Sequence, residues 1–546
     1  MQNSDFFAEF SAPKSRNYAN LFDLKLSSGS HCILRSYNRK EVRKIKRNKY
    51  LKILAIAAAG SLCLTACNAA ENTSITTSET QAETVRTTVA ETTEVTTEAS
   101  ETVKPVITEA DITINEEIGS SNDSEHAIEI SGETASYSNV KVTKTGDSDE
   151  GDKADFYGDN AAVFATDGAT LTLSNVIVDT DGFHANGVFS YGEGTTVNIS
   201  DSVITTTGNC SGGLMTTGGG TMNADNLNIH TTGNSSAAIR SDRGGGTVNV
   251  TGGLYVTDGK GSPAIYSTAD ITVNDAALES TSSQGVVVEG RNSVTLNNVT
   301  LIADNNSKNS DKSPYYQAVM IYQSMSGDAK EGRAYFTMTG GSLTNKNGDV
   351  FFVNNTVTTI TLEDVDIENL DPDGVFLRAA AAGWGSEGSN GGKVDLYLNN
   401  QTLEGDIVVD DVSGLNMYLA SGTTYTGAIN SGNEGEVYVG IESGSKWILT
   451  GDSYITSLTC DADAIDLNGY TLYINGTAYS KGNASTGEAV VFATSSGSHG
   501  GPDGGPGGQP GDMPQGDPPS GGPGGEGEPP SGGPGGDGEE PPPKPD

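Results

Sequence analysis

Three consecutive stretches of this chain share one pattern that decides the fold. Residues 194–209 read GTTVNISDSVITTTGN, residues 219–234 read GGTMNADNLNIHTTGN, and residues 245–260 read GGTVNVTGGLYVTDGK. Apolar residues alternate with Thr, Asn or Ser in each stretch, which is typical of a β-strand with one buried face. One such unit cannot bury its apolar side alone, so the repetition predicts a solenoid of stacked coils.

The repeat extends well beyond these stretches as three ladders of equivalent residues. The alternating strand recurs in steps of 26, 25, 26, 23 and 23 residues at Leu171–Leu173, Val197–Ile199, Met222–Ala224, Val248–Val250, Ile271–Val273 and Val294–Leu296. A second ladder is formed by glycines that follow a Thr by two residues, namely Gly182, Gly208, Gly233 and Gly259. A third is aliphatic, at Val163, Val188, Leu214, Ile239, Ile265 and Val286. Three ladders predict three short strands per coil, and the period is too short for a propeller blade.

We assign residues 104–403 to the main body of the solenoid and residues 404–482 to shorter coils that close it. This organisation resembles the right-handed parallel β-helices of the pectate-lyase-like superfamily, and in particular the adhesin-like surface lipoproteins of Gram-positive bacteria. Residues 405–411, followed by residues 447–454, resemble the closing coils of such proteins. The resemblance implies an all-β, right-handed parallel β-helix and a role in surface binding. It implies no particular ligand, because this fold also carries lyases and hydrolases.

The N-terminal region predicts export and lipid anchoring. Residues 43–66 form a lipoprotein signal peptide with a basic start and an apolar run from Ile53 to Leu64 that is too short to span a membrane. The following Leu64-Thr65-Ala66-Cys67 resembles the bacterial lipobox, which implies cleavage before Cys67 and a diacylglyceryl group on its thiol. We therefore expect the protein at the extracellular face of the cell membrane. Residues 1–42 are interpreted as an extension that results from a misassigned start codon.

Two segments of low complexity flank the predicted solenoid. Residues 67–103 are rich in Thr and Glu and poor in apolar residues, so they predict a disordered stalk. Residues 483–546 are rich in Gly and Pro and predict a disordered tail. The stalk would hold the body away from the membrane.

The charge of the chain limits the kinds of partner that we expect, and its cysteine content limits the disulfides. The chain has a formal net charge of −40, and residues 1–66 contain 12 of its 31 basic residues but only 4 of its 71 acidic ones. Such a surface repels nucleic acid, so we expect no nucleic-acid partner and contact with the membrane only through the lipid. Cys210 and Cys460 are far apart in the repeat, which argues against a disulfide. We expect a monomer.

The residues that could carry catalysis or bind a metal give no defined constellation, so no catalytic residue is predicted. Arg240 and Arg243 lie near Asp242 at a strand end, where an exposed charged turn is the favoured interpretation. Asp364, Asp366 and Glu368 have the spacing of one strand face. Solvated outward acids are the common case there, and a weak Ca²⁺ site is the alternative. No two histidines have metal-ligand spacing, and no cofactor is required.

The long inserts are the best candidates for ligand binding, because function on solenoids gathers where insertions interrupt the coil. Inserts at residues 304–316, 324–333 and 379–392 bring aromatic and basic residues together. The candidate ligand-binding residues are Tyr315, Tyr316, Tyr322, Lys330, Arg333 and Trp384. Their rings could stack on the apolar C–H faces of sugars. Equally, Tyr315, Tyr316 and Trp384 could fold back and cap the core beneath their own loops.

These observations favour a non-enzymatic adhesin or glycan-binding protein whose partner is a glycan or the surface of a host or neighbouring cell. The first alternative is a polysaccharide lyase or glycoside hydrolase of the β-helix superfamily. The second alternative is a structural protein of the cell envelope with no ligand.

Overall fold

The computed structural model describes residues 105–308, 310–324 and 326–492, and this part of the chain forms 36 β-strands. Strands of successive coils pair in parallel, which confirms the predicted all-β parallel β-helix. The described helices are a 3₁₀ turn at Glu109–Asp111 and α1 at Asp152–Tyr157. Neither is long and apolar enough to cross a membrane. The predictions for residues 1–42, the signal peptide 43–66, Cys67, the stalk and residues 493–546 concern parts of the chain outside the described residues.

The largest sheet, sheet A, contains 18 strands. In chain order they are β1 (Glu116–Ser120), β3 (Thr134–Ser138), β4 (Val140–Lys144), β6 (Thr170–Ser174), β7 (Ile177–Thr180), β9 (Thr196–Thr206), β11 (Gly220–Thr231), β13 (Gly246–Thr257), β15 (Asp270–Asn274), β16 (Ala277–Ser280), β18 (Ser293–Ala303), β20 (Arg333–Asn345), β22 (Thr356–Glu363), β23 (Asp366–Asn369), β25 (Gly392–Asn399), β28 (Gly414–Ala420), β30 (Glu436–Ile441) and β33 (Ser457–Thr459).

Sheet B contains 11 strands and forms another side of the solenoid. Its strands are β2 (Ile128–Ser131), β5 (Val163–Thr166), β8 (Val188–Tyr191), β10 (Leu214–Thr217), β12 (Ile239–Ser241), β14 (Ile265–Ser267), β17 (Val286–Glu289), β19 (Gln317–Tyr322), β21 (Asp349–Asn354), β24 (Leu377–Ala379) and β27 (Ile407–Val409). Two small sheets complete the C-terminal coils. They comprise β26 (Thr402–Glu404), β29 (Thr424–Thr426), β31 (Lys446–Ile448) and β34 (Ile465–Asp466), and then β32 (Ser453–Ile455), β35 (Leu472–Ile474) and β36 (Thr477–Ala478).

In the central coils, the strand of the first ladder continues through a bend as far as the Thr that precedes each ladder glycine by two residues, so one bent strand replaces two of the three separate strands expected. Within β9 and β11 the bend lies at Asp201 (φ 47°) and Asn226 (φ 55°), both in the left-handed region. Asn and Asp tolerate this conformation better than other non-glycine residues. The Asn226 side-chain amide donates to the Asp201 carboxylate at 2.8 Å, so the bends of adjacent coils are joined as well. The chain therefore turns a corner without losing its pairing to the next coil.

The core is one continuous apolar column inside the coils. Equivalent residues of the alternating strand stack in register, for example Leu171 on Val197 and Met222 on Val248. All four of these side chains are at most 1% exposed. Each coil thus buries its apolar face against its neighbours, as the sequence pattern predicts.

The glycine ladder marks the place where backbones of adjacent coils approach most closely. A Cβ atom added at Gly208 would lie 1.9 Å from the Gly182 carbonyl oxygen, and one added at Gly233 would lie 1.9 Å from the Gly208 carbonyl oxygen. A buried serine completes the turn, because Ser236 Oγ donates to the Gly208 carbonyl at 3.1 Å and accepts from the Ser211 N–H at 2.9 Å. A Cβ at these glycines would clash with the backbone of the adjacent coil, whereas the coils that follow carry Ser282 and Asn305 at the equivalent position.

The two terminal segments of the described chain lie against the outside of sheet A. At the N-terminal end, the Asn228 amide donates to the Ile107 carbonyl at 3.0 Å, and Ile112 packs with Ile177 and Val203. At the other end, residues 483–492 follow the antiparallel pair β35–β36, and Val490 exchanges two hydrogen bonds with the Asn416 side chain, at 2.8 and 3.0 Å. Residues 483–492, which the sequence assigns to the tail, thus contact the solenoid. Cys210 and Cys460 are both buried and form no disulfide, which confirms that expectation.

The glycine ladder gives a direct stability test. Gly208→Ala should lower the free energy of unfolding by about 3 kcal/mol, because the new methyl group meets a carbonyl oxygen that belongs to the rigid backbone of the next coil. Gly432→Ala is the matched control, since its nearest atoms belong to the mobile end of the Glu434 side chain at 3.3 Å. Urea unfolding of both variants measures the difference, and equal stabilities would contradict the ladder.

Candidate functional site

The outer face of sheet B is covered rather than exposed. From β5 to β21, the central residue of each strand that points away from the core belongs to a ladder in register from coil to coil and is at most 7% exposed. The ladder ends in the exposed Glu129 on one side and in the half-buried Arg378 and Val408 on the other. Its apolar members are Phe164, Phe189, Met215, Tyr266, Val287, Met320 and Phe352. An apolar outer face must be shielded from water, so the inserts that leave the coils at this sheet have a reason to fold back onto it.

Inserts from both edges of sheet B meet across this face. Residues 304–316 precede β19, whereas residues 323–332 and 380–391 follow β19 and β24 at the opposite edge. The Gly383 N–H donates to the Lys312 carbonyl at 2.8 Å, which joins the first insert to the third. Within the third insert, the Asn390 amide donates to the carbonyls of Ala382 and Trp384 at 2.6 and 2.8 Å. The inserts therefore form an ordered cover.

A cleft that opens to solvent and has a cavity volume of about 60 Å³ lies between this cover and the outer face of sheet B. One part of its wall is apolar or aromatic, and the rest carries amides, hydroxyls and one ammonium group. The side chains that line it include Gln284, Val287, Asn305, Ser307, Lys308, Ser313, Tyr315, Gln317, Met320, Tyr322 and Trp384. A concave site with apolar walls and a few convergent polar groups is the usual form of a small-molecule site.

Three of the six predicted ligand-binding residues line the cleft, and they also cap the sheet. Trp384 is 5% exposed and Tyr322 is 1% exposed, with ring centroids 5.0 Å apart in an edge-to-face arrangement. Tyr315 is half-buried, packs on Phe352 at 5.4 Å and carries the Arg378 guanidinium 4.2 Å above its ring. Tyr315 and Trp384 thus cap sheet B, as one alternative drawn from the sequence expects, and the same rings form part of the wall of the cleft.

The other three predicted residues lie elsewhere, so the predicted aromatic and basic residues do not form one group. Tyr316 is half-buried beneath the Lys308 ammonium, which lies 4.6 Å from the ring centre. Lys330 is exposed and is not among the residues that line the cleft. Arg333 begins a strand of sheet A, where its Nη1 lies 2.5 Å from an Asp395 carboxylate oxygen. These residues are close to one another in the sequence, but their positions in the coil place them on different parts of the solenoid.

Several lining residues were missed from the sequence. Asn305, Gln284 and Gln317 are neutral side chains with no motif around them. Gln317 opens β19 and is fully buried. The one signal available in the sequence is a run that lacks polar alternation, such as Gln317–Tyr322, because a strand that is covered on both faces loses that alternation.

A buried carboxyl lies beneath the floor of the cleft. Glu289 is fully buried and accepts hydrogen bonds from the Tyr266 and Tyr322 hydroxyls, the second at 2.9 Å. Burial raises the pKa of Glu289 above its ordinary value, although the two tyrosine hydrogen bonds oppose this shift. Tyr322 therefore connects the cleft wall to a carboxyl group that is costly to ionise.

The exposed charged turn expected from the sequence is confirmed for Arg243 and is wrong for Arg240 and Asp242, which are buried. Arg240 is 1% exposed and Asp242 is 5% exposed, and they form an ion pair at 2.9 Å on the outer face of sheet B. The Arg240 guanidinium also lies 3.1 Å from Asp155, a residue of α1. The insert that carries α1 covers this pair, and the sequence around Arg240 contains no sign of that cover.

The acidic residues proposed as a weak Ca²⁺ site lie on the surface. Asp366 and Glu368 are exposed on β23, and Asp364 lies in the preceding turn with a φ of 55°. The Asn400 amide donates to the Asp364 carboxylate. In the described part of the chain, the metal-ligating side chains found within 4.8 Å of one another lie elsewhere, at Asp155, His184 and Cys210.

The capping role of Trp384 predicts a stability change. Trp384→Ala should lower the free energy of unfolding by about 3 kcal/mol, because it opens the buried cluster around Tyr322 and Phe352. Tyr316→Ala, which lies outside that cluster, should cost much less. Urea unfolding measures both, and an unchanged stability of Trp384→Ala would show that the third insert does not cap the sheet.

The raised pKa of Glu289 predicts a pH effect of defined sign. The folded carboxyl holds its proton more tightly than the unfolded one, so its contribution to stability is present below the ordinary pKa of about 4.3 and is lost as the pH rises through the raised pKa. Glu289→Gln removes this titration. The stability of the unaltered protein relative to Glu289→Gln should therefore fall as the pH rises above the ordinary pKa of about 4.3 in urea unfolding. The exposed Glu404→Gln is the matched control, and a constant difference between Glu289→Gln and the unaltered protein would contradict the assignment.

Comparison with known proteins yields no relative of this chain: no protein-family model, no curated protein and no solved structure matches it.

Proposed function

We propose that this protein is a non-enzymatic carbohydrate-binding protein of the cell surface, which holds a sugar residue in the cleft on the outer face of sheet B. One observation carries the proposal. Gln317 is fully buried at the cleft, and neither its Nε2 nor its Oε1 has a hydrogen-bond partner among the described residues. The same holds for Nε1 of Trp384, which also lines the cleft.

Unpartnered buried polar groups need a ligand with matching chemistry. Leaving a buried amide unpaired costs about 1–3 kcal/mol, so such a group persists where binding rewards it. A sugar hydroxyl both donates and accepts, and it can therefore pair with either end of the Gln317 amide. The C–H face of a sugar ring is apolar and fits the Tyr315, Met320 and Trp384 side of the wall.

The charge of the side chains that line the cleft indicates which class of sugar they would bind. The polar lining consists of amides, hydroxyls and the Lys308 ammonium, on a chain with a net charge of −40. Burial lowers the pKa of Lys308, and the nearby Asp311 opposes that shift. A neutral or acidic sugar suits this lining better than an amino sugar with a free ammonium group, which would meet like charge at Lys308.

The anchor predicted at Cys67 completes the proposal. A lipid on that residue, followed by the Thr- and Glu-rich segment 67–103, would present the cleft to glycans of the surrounding matrix or of another cell. Membrane attachment and glycan binding are separate parts of the proposal and can be tested separately.

A reciprocal pair of substitutions tests the cleft. Gln317→Met keeps the size of the side chain but removes the amide, so it should weaken glycan binding at least tenfold while leaving stability equal or higher. Gln401→Met is the matched control, because the Gln401 amide is buried but donates to the Val365 carbonyl at 3.0 Å. It should lower stability by about 1–3 kcal/mol and leave glycan binding unchanged.

The measurement uses the full chain on a glycan array, followed by titration calorimetry with the glycan that binds. Binding that Gln317→Met abolishes and Gln401→Met preserves is the expected result. An array without any bound glycan would overturn the proposal, and so would binding that Gln317→Met does not change.

A further inference from the structure

A second cluster of reactive side chains lies beneath α1, away from the cleft. Asp155 belongs to α1, whereas His184 and Cys210 occupy turns of two adjacent coils. These three residues are 1%, 2% and 5% exposed, respectively. A carboxylate, an imidazole and a thiol are three different classes of metal ligand. The fold brings them together from positions up to 55 residues apart in the sequence.

The coil geometry explains why His184 and Cys210 face the same space. His184 and Cys210 each follow a glycine of the ladder by two residues, and each is in the left-handed region, with φ values of 57° and 55°. The His184 N–H donates to the Asn209 carbonyl at 3.0 Å, and the Cys210 N–H donates to the Asn234 carbonyl at 2.8 Å. Equivalent positions in stacked coils place their side chains side by side.

The ligand atoms are close enough for one small cation. A carboxylate oxygen of Asp155, a ring nitrogen of His184 and the Cys210 sulfur all lie within 4.8 Å of one another. His184 Nδ1 and Asp155 Oδ1 are 3.1 Å apart. Tetrahedral zinc, with bonds of about 2.0–2.3 Å, needs its ligand atoms about 3.3–3.8 Å apart. Small side-chain rotations therefore suffice.

The surrounding charges are compatible with a divalent cation. Arg240 Nη2 lies 3.1 Å from Asp155 Oδ2, which leaves Oδ1 as the oxygen nearest the imidazole. Arg240 is balanced on its other side by Asp242 at 2.9 Å. The Asp155 carboxylate and the Cys210 thiolate would together neutralise a doubly charged ion, and the Asp242 carboxyl is a second partner of Arg240. The second carboxylate oxygen of a metal ligand is commonly held by such an outer partner.

We propose that Asp155, His184 and Cys210 bind one Zn²⁺ ion, which fastens the α1 insert to the outer face of sheet B. The thiol releases its proton to solvent when the sulfur binds zinc, and the imidazole binds in its neutral form. A thiolate and an imidazole favour zinc over Ca²⁺ and Mg²⁺, which prefer oxygen ligands. Three protein ligands leave the fourth position of a tetrahedral zinc ion to a water molecule, and the role we propose for the ion is structural because it joins an insert residue to two coils.

The test measures zinc retained by the full chain. The protein is loaded with Zn²⁺ and dialysed against excess Mg²⁺ and Ca²⁺, which displace zinc from surface carboxylates but not from a thiolate site. We expect one zinc ion per chain by elemental analysis. Cys210→Ser and His184→Gln should each weaken zinc binding at least about 100-fold. Cys460→Ser, at the other buried cysteine, is the matched control and should keep the ion.

A second readout reports the ligand directly. Co²⁺ bound in place of zinc should show a thiolate-to-metal charge-transfer band that Cys210→Ser abolishes and Cys460→Ser retains. Circular dichroism identifies any variant that fails to fold, and in that case the unaltered chain alone decides. An unaltered chain that retains no zinc after dialysis overturns the proposal, and so does zinc that remains bound to both Cys210→Ser and His184→Gln.

Discussion

The stacking of one coil on the next is the interaction on which the whole structure depends. Each central strand pairs in parallel with a strand of the coil before and of the coil after it, and the apolar residues of each coil are buried only by these neighbours. The closest backbone approach is at the glycine ladder, where a carbonyl oxygen occupies the place of a side chain. Register and core both follow from this stacking, and at the four ladder glycines an added Cβ would force adjacent coils apart.

The same repeat creates the surfaces that the inserts cover. In register, the outer side chains of sheet B form a ladder just as regular as the core, and in this protein that ladder is largely apolar. Segments that leave the coils at sheet B return to it and bury the ladder in two places. One cover carries α1 and the Asp155–His184–Cys210 cluster, whereas the other carries Trp384 and the cleft. The two candidate sites are therefore consequences of one packing requirement.

The sequence predicts the features that repeat and misses those that do not. Alternation at Val197–Ile199 and its equivalents identifies the core-facing strand, and the glycines identify the coil corner, because both recur at a fixed period. The bent strands, which continue from the first ladder to the Thr before each ladder glycine, were not predicted, since the bend depends on the left-handed conformation of residues such as Asp201 and Asn226. Arg240 and Asp242 look like surface residues in their own segment. They are buried by an insert that lies far from them in sequence, and no local pattern encodes that contact. Only half of the predicted binding residues line the cleft. The sequence shows the length of an insert but not the path that it takes over the surface.

The central claim is that the inserts are packed on sheet B in solution, and hydrogen–deuterium exchange measures this packing most directly. The Gly383 N–H donates across the face to Lys312, and the amides near Trp384 lie over the buried cluster. Peptides from residues 304–316 and 380–391 should therefore exchange at least about 100-fold more slowly than an unstructured chain, and more nearly like the strands they cover. Exchange of these peptides at the unstructured rate, with the strands of sheet B still protected, would contradict the account, because the cleft would then have no fixed wall.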